Sequence, residues 1–568
     1  MKLREIATIL FIVVVSLLMA RQGLNMMDDG FLLTTYQQVF SHPESVSYFF
    51  LYYWLDLLGG VWHCVFSDAG IYGFRVLECL AMGIVVAVGI RLLKRFFSTF
   101  QVCMGMLLVF CFTKEVGVLH YNTLTSLMTL VVIVFMMKAL MSHRWVYMLV
   151  AGIAMGIDFF VRLPNVALSI FISVLIPYYI YTREKHFTMV LLAAAITGTF
   201  VGVGVTFLVM VLLGHLDCFS FAWKSGVSLF QHADSSHSSS HLLFVFFSDL
   251  WMLSKQLLLF AVLPLLLIFV HRLLHQKSII LLLDVLFLFI QIILLKHFLY
   301  PIYALNMLVV ASCIYLSYER RSEPALIYLA VLVSLTVLFM PFGCDFGLLN
   351  MQQCSLWLGG AFVVTAFQSF FKRMDNNFSD KAFIIKGRLL IIIYAIVFIG
   401  KTFYAYSYPM FYENGNRLQT VYQVDWPHCN VLTTQESANE LVEVMQAMSG
   451  LVKENDELLV YPYVPMLHYL TNTRPYMRNP LPWIYNDALF EEQLTIAQEH
   501  QEDMPVVVWQ KSQLNAWTTP DKDWNSPDAE ESYNQHNNQK RDLKDFLHRN
   551  HYQIVWENHL FQIWKSMP

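Results

Sequence analysis

Long apolar stretches alternate with short polar turns over the first 400 residues. A membrane-spanning helix needs about 20 mostly apolar residues, or somewhat fewer where flanking polar side chains reach the interface. The pattern therefore predicts a mainly α-helical, polytopic transmembrane bundle of about 13 spans. The predicted span cores are 6–20, 72–90, 100–113, 122–141, 146–161, 165–181, 187–213, 250–270, 278–295, 298–317, 324–341, 352–371 and 388–407.

The first apolar stretch has the cationic start of a signal peptide, because Lys2 and Arg4 precede it. No convincing small-x-small cleavage site stands before Arg21, so we interpret the stretch as an anchor that is retained. The N-terminus is then expected in the cytoplasm.

Cationic side chains near the span ends predict the orientation of the remaining spans. Loops that stay in the cytoplasm are enriched in Lys and Arg. With a cytoplasmic N-terminus, 18 of the 26 Lys and Arg residues before residue 409 fall on the cytoplasmic side. An odd number of spans then divides the chain into a transmembrane domain, 1–408, and an extracytoplasmic domain, 409–568.

Composition supports this division. The chain is 57% hydrophobic and 14% charged, whereas soluble domains carry roughly 25% charged residues. Residues 1–408 contain 26 basic and 19 acidic residues, but residues 409–568 contain 11 and 22. Two different solvents are implied, and a nucleic-acid binder, a disordered scaffold and a coiled coil are excluded.

The polar tail alternates strand-like with helical patterns, which is typical of a small α/β domain. It contains no Gly-rich phosphate loop and no Ser-His-Asp signature, so we interpret it as a recognition or support domain. The strand patterns are 457–461, 505–509, 552–556 and 560–564, the helical patterns are 437–451, 487–500 and 543–549, and 521–540 reads as a loop.

Two adjacent carboxylates, Asp28 and Asp29, stand where the chain leaves the first span. A carboxylate near hydrocarbon tends to have a raised pKa, which suits a general base that takes a proton from an acceptor. The pair could instead hold a divalent cation against a phosphate. A purely structural alternative is that one of them is the N-cap of a helix over 31–40.

Three further carboxylates, Glu78, Asp158 and Asp284, lie within predicted spans. An isolated charge in a membrane is unfavourable, so such residues are functional candidates by default. They form no regular series, and we expect packing or ion-pair roles, for example with Arg75 or an interfacial lysine.

Together, these features resemble the GT-C-fold glycosyltransferases. The resemblance lies in the acidic pair Asp28-Asp29 in the first extracytoplasmic loop, an interfacial helix over 48–66, the many-span bundle and the terminal extracytoplasmic domain. The branch with protein O-mannosyltransferases and lipid A aminoarabinose transferases is the most similar. Such enzymes take sugars from polyprenyl-phosphate donors. The resemblance covers the whole architecture, but its motif is short.

The resemblance implies roles for the acidic residues. One of Asp28 and Asp29 is the expected catalytic base, and we favour Asp28. Glu115 is a second catalytic candidate, because a second outer loop of such enzymes often carries an acidic residue. An interfacial ion pair between Lys114 and Glu115 is the alternative. His120, which follows in the same loop, is a candidate substrate-binding residue.

A lipid-phosphate donor also requires a cation that stabilises the leaving phosphate. Arg162 fits this role, because it lies at the outer end of a span before Pro164, although it could be a snorkelling anchor. Lys114 and Arg75 are weaker candidates, and anchoring of a helix start is the favoured explanation for Arg75.

The tail contains Tyr-Leu-Thr-x-x-Arg-Pro at 469–475, after a tyrosine-rich strand end, and this segment is similar to one in the outer domains of GT-C proteins. Tyr461 and Tyr463 could stack on a sugar as substrate-binding residues. Packing against the sheet is the favoured alternative.

The predicted function is therefore hexosyl or pentosyl transfer from a polyprenyl-phosphate donor to a lipid, glycan or protein acceptor. A monophosphate donor needs no metal, whereas a diphosphate donor would favour Mg²⁺ or Mn²⁺ on Asp28 and Asp29. Membrane lipids are expected partners and nucleic acid is not. A lack of retention signals and of glycosylation sequons in the tail favours a bacterial inner membrane.

Two other classes of function remain open. A transporter or lipid flippase would show repeats and matching broken helices, and neither is visible in the sequence. A non-catalytic assembly subunit with a GT-C-like fold is the second alternative, because a fold persists without activity.

Overall fold

The computed structural model describes residues 2–113, 116–231, 240–255, 301–343, 353–377, 415–500, 504–513, 516–520 and 537–567, with isolated positions between these ranges. The predicted spans 278–295 and 388–407, and most of 250–270, lie outside the described residues. So do Lys114, Glu115 and Asp284.

Each of the other ten predicted spans corresponds to a helix. In chain order these are α1 (Leu3–Met19), α4 (Gly70–Leu93), α5 (Thr99–Phe110), α6 (Tyr121–Ser142), α7 (Trp145–Asp158), a 3-10 segment (Leu163–Val174) that continues into α8 (Leu175–Thr182), α9 (Lys185–Leu213), α11 (Pro301–Glu319), α12 (Pro324–Phe339) and α13 (Gly359–Asn377). A further helix, α10 (Leu216–Gln231), follows α9, and 240–255 is also helical.

Four of these segments are long and apolar enough to cross a membrane: Ser67–Leu93, Tyr121–Ser142, Leu163–Thr182 and Lys185–Leu213. In the longest of them, Lys185–Leu213, only 22% of the most apolar 18-residue stretch is buried inside the protein. Apolar side chains on its other faces are therefore exposed to the surroundings, as hydrocarbon-facing residues are. The chain is an integral membrane protein with a mainly helical bundle.

Helices α7 and α9 are packed backbone to backbone through glycines. A Cβ on Gly156 would lie 2.2 Å from the carbonyl oxygen of Thr199, and one on Gly202 would lie 2.2 Å from that of Ile153. Gly152 and Gly198 are equally close to the facing helix. Small residues spaced four apart allow this close approach, which supplies the van der Waals contact that drives helix association in lipid.

The first loop folds into three helical pieces. They are α2 (Asp28–Gln38), a 3-10 segment (Pro43–Tyr52) and α3 (Tyr53–Val65). The interfacial helix predicted over 48–66 is thus α-helical from Tyr53 onward. Exposed apolar side chains on α3, including Val61 and Val65, suit a helix that lies at the membrane surface.

The C-terminal α/β domain is built around a five-stranded mixed sheet of order β4-β3-β5-β9-β8. Strand β3 pairs in parallel with β4 and β5, while β9 pairs antiparallel with β5 and β8. The elements of the domain are β1 (Tyr422–Gln423), β2 (Leu432–Thr433), α14 (Gln435–Ser449), β3 (Glu457–Tyr461), α15 (Met466–Thr471), β4 (Arg474–Pro475), α16 (Asp487–His500), β5 (Val506–Gln510), β6 (Ser512–Gln513), β7 (Ala516–Pro520), α17 (Asn537–Arg549), β8 (Tyr552–Glu557) and β9 (Phe561–Ser566).

All the strand and helix patterns predicted for the tail are present, with ends shifted by a few residues. One boundary differs more. Helix α17 begins at Asn537, six residues before the predicted helix start at Leu543, so the last part of the predicted loop 521–540 is helical. The earlier part of that loop, 521–536, lies outside the described residues. The first six residues of this helix are Asn-Asn-Gln-Lys-Arg-Asp. Because all six are polar, they show no hydrophobic periodicity from which a helix could be predicted.

The domain is bonded to the loop between α1 and α2 through main-chain hydrogen bonds. Gly23 N donates to Leu432 O at 2.8 Å, and Leu432 N donates to Arg21 O at 2.6 Å. Met466 N donates to Met26 O at 3.1 Å. The side of the bundle on which the domain packs is called the domain side below, and it carries the adjacent carboxylates Asp28 and Asp29.

Candidate functional site

Asp28 and Asp29 occupy the first two positions of α2. The side chain of Asn25 starts this helix, because its Oδ1 accepts from Met27 N at 3.2 Å and from Asp28 N at 2.8 Å. Carboxylates are stabilised at a helix N-terminus by the free N–H groups and the helix dipole. The structural alternative from the sequence was an aspartate N-cap, but here Asn25 accepts these bonds and the aspartates begin the helix itself.

Asp29 is buried and fully engaged with the protein. Its Oδ2 accepts from Arg75 Nε at 3.0 Å and Nη2 at 2.7 Å, and its Oδ1 accepts from Val118 N at 3.1 Å. Gly117 permits this approach, because a Cβ there would lie 2.8 Å from Asp29 Oδ1. The carboxylate therefore ties α2 to α4 and to the loop before α6.

Arg75 is also buried, and its side chain is also bonded to the protein. Besides Asp29, its guanidinium donates to the carbonyl oxygens of Ala20, Gln22 and Gly23 at 2.9–3.1 Å. These five bonds use all five N–H donors of an arginine. One sequence prediction is corrected here: Arg75 holds the end of α1 and has no N–H donor left for a phosphate. Its ion-pair partner is Asp29, which is not one of the three carboxylates in predicted spans.

Asp28 differs from its neighbour in environment. Its side chain is half-buried. Successive residues of a helix project about 100° apart, so the carboxylates of Asp28 and Asp29 point in different directions. The two carboxylates therefore lie in different surroundings. The role of Asp28 as the base stays a prediction.

Glu78 and His120 form the adjoining part of the site. Glu78 accepts from His120 N at 3.3 Å and from the hydroxyl of Thr123. The Nδ1 of His120 accepts from Asn122 N at 3.3 Å, as expected for the N-cap of α6. Burial, with the nearby charge of Arg162, lowers the pKa of His120 to about 3. The imidazole is therefore neutral near pH 7, and its proton is on Nε2.

Arg162 is buried at the end of another helix. Its Nη2 donates to the carbonyl oxygens of Met340 and Phe342, just past the C-terminus of α12. Its Nε donates to Asn165 at 3.2 Å, while the bond from Nη1 to Asn122 is long, at 3.5 Å. Arg162 thus satisfies carbonyl groups that a helix end leaves unpaired. It lies near His120, and its role in phosphate binding stays a prediction.

Glu413 links the first loop to the C-terminal domain. It is buried and accepts from Leu24 N at 2.9 Å, from the hydroxyl of Ser437 at 2.8 Å and from that of Thr433. One carboxylate therefore joins the first loop to two elements of the domain. Sequence reasoning missed it, because a lone Glu after a span carries no local signal.

Helix α15 supports α2 directly. A Cβ on Gly30 would lie 2.3 Å from Met466 N and 2.8 Å from Met466 Cα. The hydroxyl of Thr34 donates to Pro465 O at 3.3 Å. The helix that carries Asp28 is thus held between the bundle and the domain.

The two tyrosines of the tail lie in packed surroundings. Tyr461 is 0% exposed, is packed edge-on against Phe490 and Trp509, and donates from its hydroxyl to Gln539. A side chain without exposed surface cannot stack on a sugar, so its predicted substrate contact is corrected to the packing alternative. Tyr463 is also buried and lies against Trp483, with ring centroids 5.1 Å apart.

The side chains at Asp28 and Asp29 offer few donor atoms to the metal ion that the sequence analysis considered. Asp29 already accepts from a guanidinium, and within the described ranges no three His, Cys, Asp or Glu side chains group closely enough to hold an ion. These residues do not fit a metal held jointly by Asp28 and Asp29. Lys114 and Glu115 lie outside the described residues, so their predicted roles stay predictions.

No protein-family model matches the chain, and no curated protein matches it. Among solved structures, ArnT from Cupriavidus metallidurans bound to undecaprenyl phosphate is similar over 99% of this chain and 97% of its own. The sequence identity is 11% and the TM-score is 0.48. At this identity and TM-score the similarity does not indicate a function. The function proposed below therefore rests on the residues of this chain.

Proposed function

We propose that this protein is a membrane glycosyltransferase of the GT-C type that transfers a sugar from a polyprenyl-phosphate donor to an acceptor on the domain side. One observation carries the proposal. Of two adjacent carboxylates at a helix start, Asp29 is committed to Arg75, while Asp28 stays half-buried at the same membrane edge. A half-buried carboxylate at this edge is the group to which we assign proton transfer.

The reaction is a direct displacement at the anomeric carbon. The acceptor hydroxyl or amine attacks this carbon, its proton passes to Asp28, and the bond from the anomeric carbon to the phosphate oxygen breaks. Polyprenyl phosphate leaves with the bonding electron pair. Donors that face the developing charge stabilise the transition state, and His120 contributes its Nε2–H as such a donor.

The leaving phosphate also requires a cation. Arg162 is our first candidate, because it is a buried cation near His120. Lys114 is the second, and Glu115 remains a second acidic candidate. With a monophosphate donor these groups suffice and no metal is needed, whereas a diphosphate donor would call for Mg²⁺ or Mn²⁺.

The proposal also covers the orientation of the chain and the membrane in which it lies. We place the N-terminus in the cytoplasm, the domain on the extracytoplasmic side and the protein in a bacterial inner membrane. The transferred sugar is a hexose or a pentose, and the acceptor is a lipid, a glycan or a protein. The domain then has a supporting role, consistent with its bonds to the first loop through Glu413 and Met466.

The test is transfer of labelled sugar by the purified full-length protein from a panel of polyprenyl-phosphate sugars. We expect transfer or donor hydrolysis by the parent and by Asp68→Asn, an exposed carboxylate of the first loop, and none by Asp28→Asn. Polyprenyl lipid movement across vesicles without sugar transfer would instead support a flippase. Folded protein that neither binds nor turns over any donor would support an assembly subunit.

A further inference from the structure

The start of α1 and the end of α4 meet at the end of the bundle opposite to the domain side. Arg21, just after α1, and Ile71, at the start of α4, are both hydrogen-bonded to the domain through their main chains. The remote ends of the same two helices are joined by Lys94, whose Nζ donates to Glu5 Oε2 at 3.3 Å. We call this surface the far end.

Two more helices end at the same surface. Arg320, directly after α11, donates from Nη1 to Phe96 O at 3.3 Å, in the turn between α4 and α5. Arg373, near the end of α13, pairs through its Nη2 with Glu319 Oε1 at 3.2 Å. The ends of α1, α4, α11 and α13 therefore form one continuous surface.

A cluster of cations lies on this surface. We call it the basic cluster, and it consists of Arg91, Lys94, Arg95, Arg320, Arg321 and Arg373. Lys94, Arg320 and Arg373 hold the helix ends together through the bonds just described. Part of the cluster is therefore structural, because cations commonly satisfy the carbonyl groups and carboxylates near helix ends.

The other three cations have no such use. Arg91, Arg95 and Arg321 are exposed, and in the part of the chain that the structure describes no carbonyl or carboxylate accepts a bond from their guanidinium groups. Arg91 lies in the last turn of α4, one turn before Arg95. The segment Ser67–Leu93 is long enough to cross a membrane, so its last turn lies at the level of the lipid headgroups.

We propose that the basic cluster binds the phosphate groups of anionic phospholipids in the leaflet around the far end. Guanidinium groups bind phosphate through paired N–H donors, and clustered Lys and Arg residues at the ends of spans attract anionic lipids. In the proposed orientation this leaflet is the cytoplasmic one. The inference does not depend on the proposed sugar transfer.

The test measures which phospholipids the full-length protein retains. The protein in detergent is incubated with equal amounts of phosphatidylglycerol and phosphatidylcholine, and the lipid that remains after washing is quantified by mass spectrometry. We expect the parent to retain phosphatidylglycerol in preference. The double variant Arg91→Gln/Arg95→Gln should retain at least about tenfold less of it, because each cation near the headgroups adds to the attraction.

A matched control removes the same charge from another part of the same end. Arg144 and Lys185 are exposed cations in the turns before α7 and α9. These turns lie at the far end, since the hydroxyl of Tyr181 at the end of α8 donates to Arg321 O at 3.2 Å. Arg144→Gln/Lys185→Gln should retain as much phosphatidylglycerol as the parent.

Several results would overturn the proposal. Equal retention by the parent and Arg91→Gln/Arg95→Gln would place the lipid elsewhere, and equal losses in both double variants would mean attraction to the general positive charge of this end. Displacement of the lipid by inorganic phosphate at the same concentration would indicate a site for free anions. The parent should also release phosphatidylglycerol at high salt, which screens charges, so retention independent of salt would contradict the proposal without any variant.

Discussion

The carboxylate of Asp29 and the guanidinium of Arg75 form a buried ion pair, with Oδ2 and Nη2 2.7 Å apart. Both side chains are almost fully withdrawn from solvent, and Arg75 also binds three carbonyl groups at the end of α1. The pair therefore fixes the first loop against α4. Asp28, the half-buried member of the acidic pair, is the residue that we propose as the base.

Asp29→Asn should destabilise the protein, because it leaves the buried guanidinium without its counter-charge. Breaking such a pair by removing one partner typically costs 3–5 kcal/mol. Thermal unfolding of the purified variant measures this, with the exposed Asp68→Asn as the control. The double variant Asp29→Asn/Arg75→Met should recover part of the loss. An Asp29→Asn variant as stable as the parent would contradict the pair's structural role.

Gly30→Ala should loosen the contact between α2 and α15, because the added Cβ would meet the backbone of Met466 at 2.3 Å. Overpacking of this kind costs about 1–3 kcal/mol. Gly450→Ala, in the C-terminal domain that contains α15, is the control, since a Cβ there meets nothing within 4 Å. Limited proteolysis should cleave the Gly30 variant faster than the control. Equal rates would argue against a tight contact at this position.

Gly156→Val should separate α7 from α9, because its side chain would enter the backbone of the facing helix at Thr199. Gly204→Val, on the same pair of helices, has open space around its Cβ and is the control. We expect a lower unfolding temperature and a lower yield in detergent for Gly156→Val alone. Similar losses in both variants would mean that β-branching and not the helix contact is responsible.

Acid should destabilise the domain through His468. Burial lowers the pKa of His468 to about 3 from its usual 6.5, so the unfolded chain binds a proton between these pH values and the folded chain does not. Stability contributed by the neutral form is present above pH 6.5 and is lost as the pH falls toward 3. The parent should therefore lose more unfolding temperature than His468→Gln between pH 7 and pH 4. A pH-independent difference between the two proteins would contradict this.

The spans and the tail elements were predictable from sequence, because each is specified by local periodicity. Strand β3 and helix α16 have the predicted bounds, 457–461 and 487–500. The pairing of Asp29 with Arg75 was not predictable, because it depends on how α2 packs against α4 across 46 positions of sequence. Glu413 was missed for the same reason, whereas packing of Tyr461 was the favoured reading of its sequence and is what the structure shows.

The most direct test of the central claim is to measure donor binding and turnover separately in Asp28→Asn. A base acts in the transition state and contributes typically 10²–10⁴-fold to the rate. The account predicts that the variant folds, binds the polyprenyl-phosphate sugar like the parent, and transfers it at least about 100-fold more slowly. Turnover equal to that of the parent, from a variant that binds the donor normally, would contradict it.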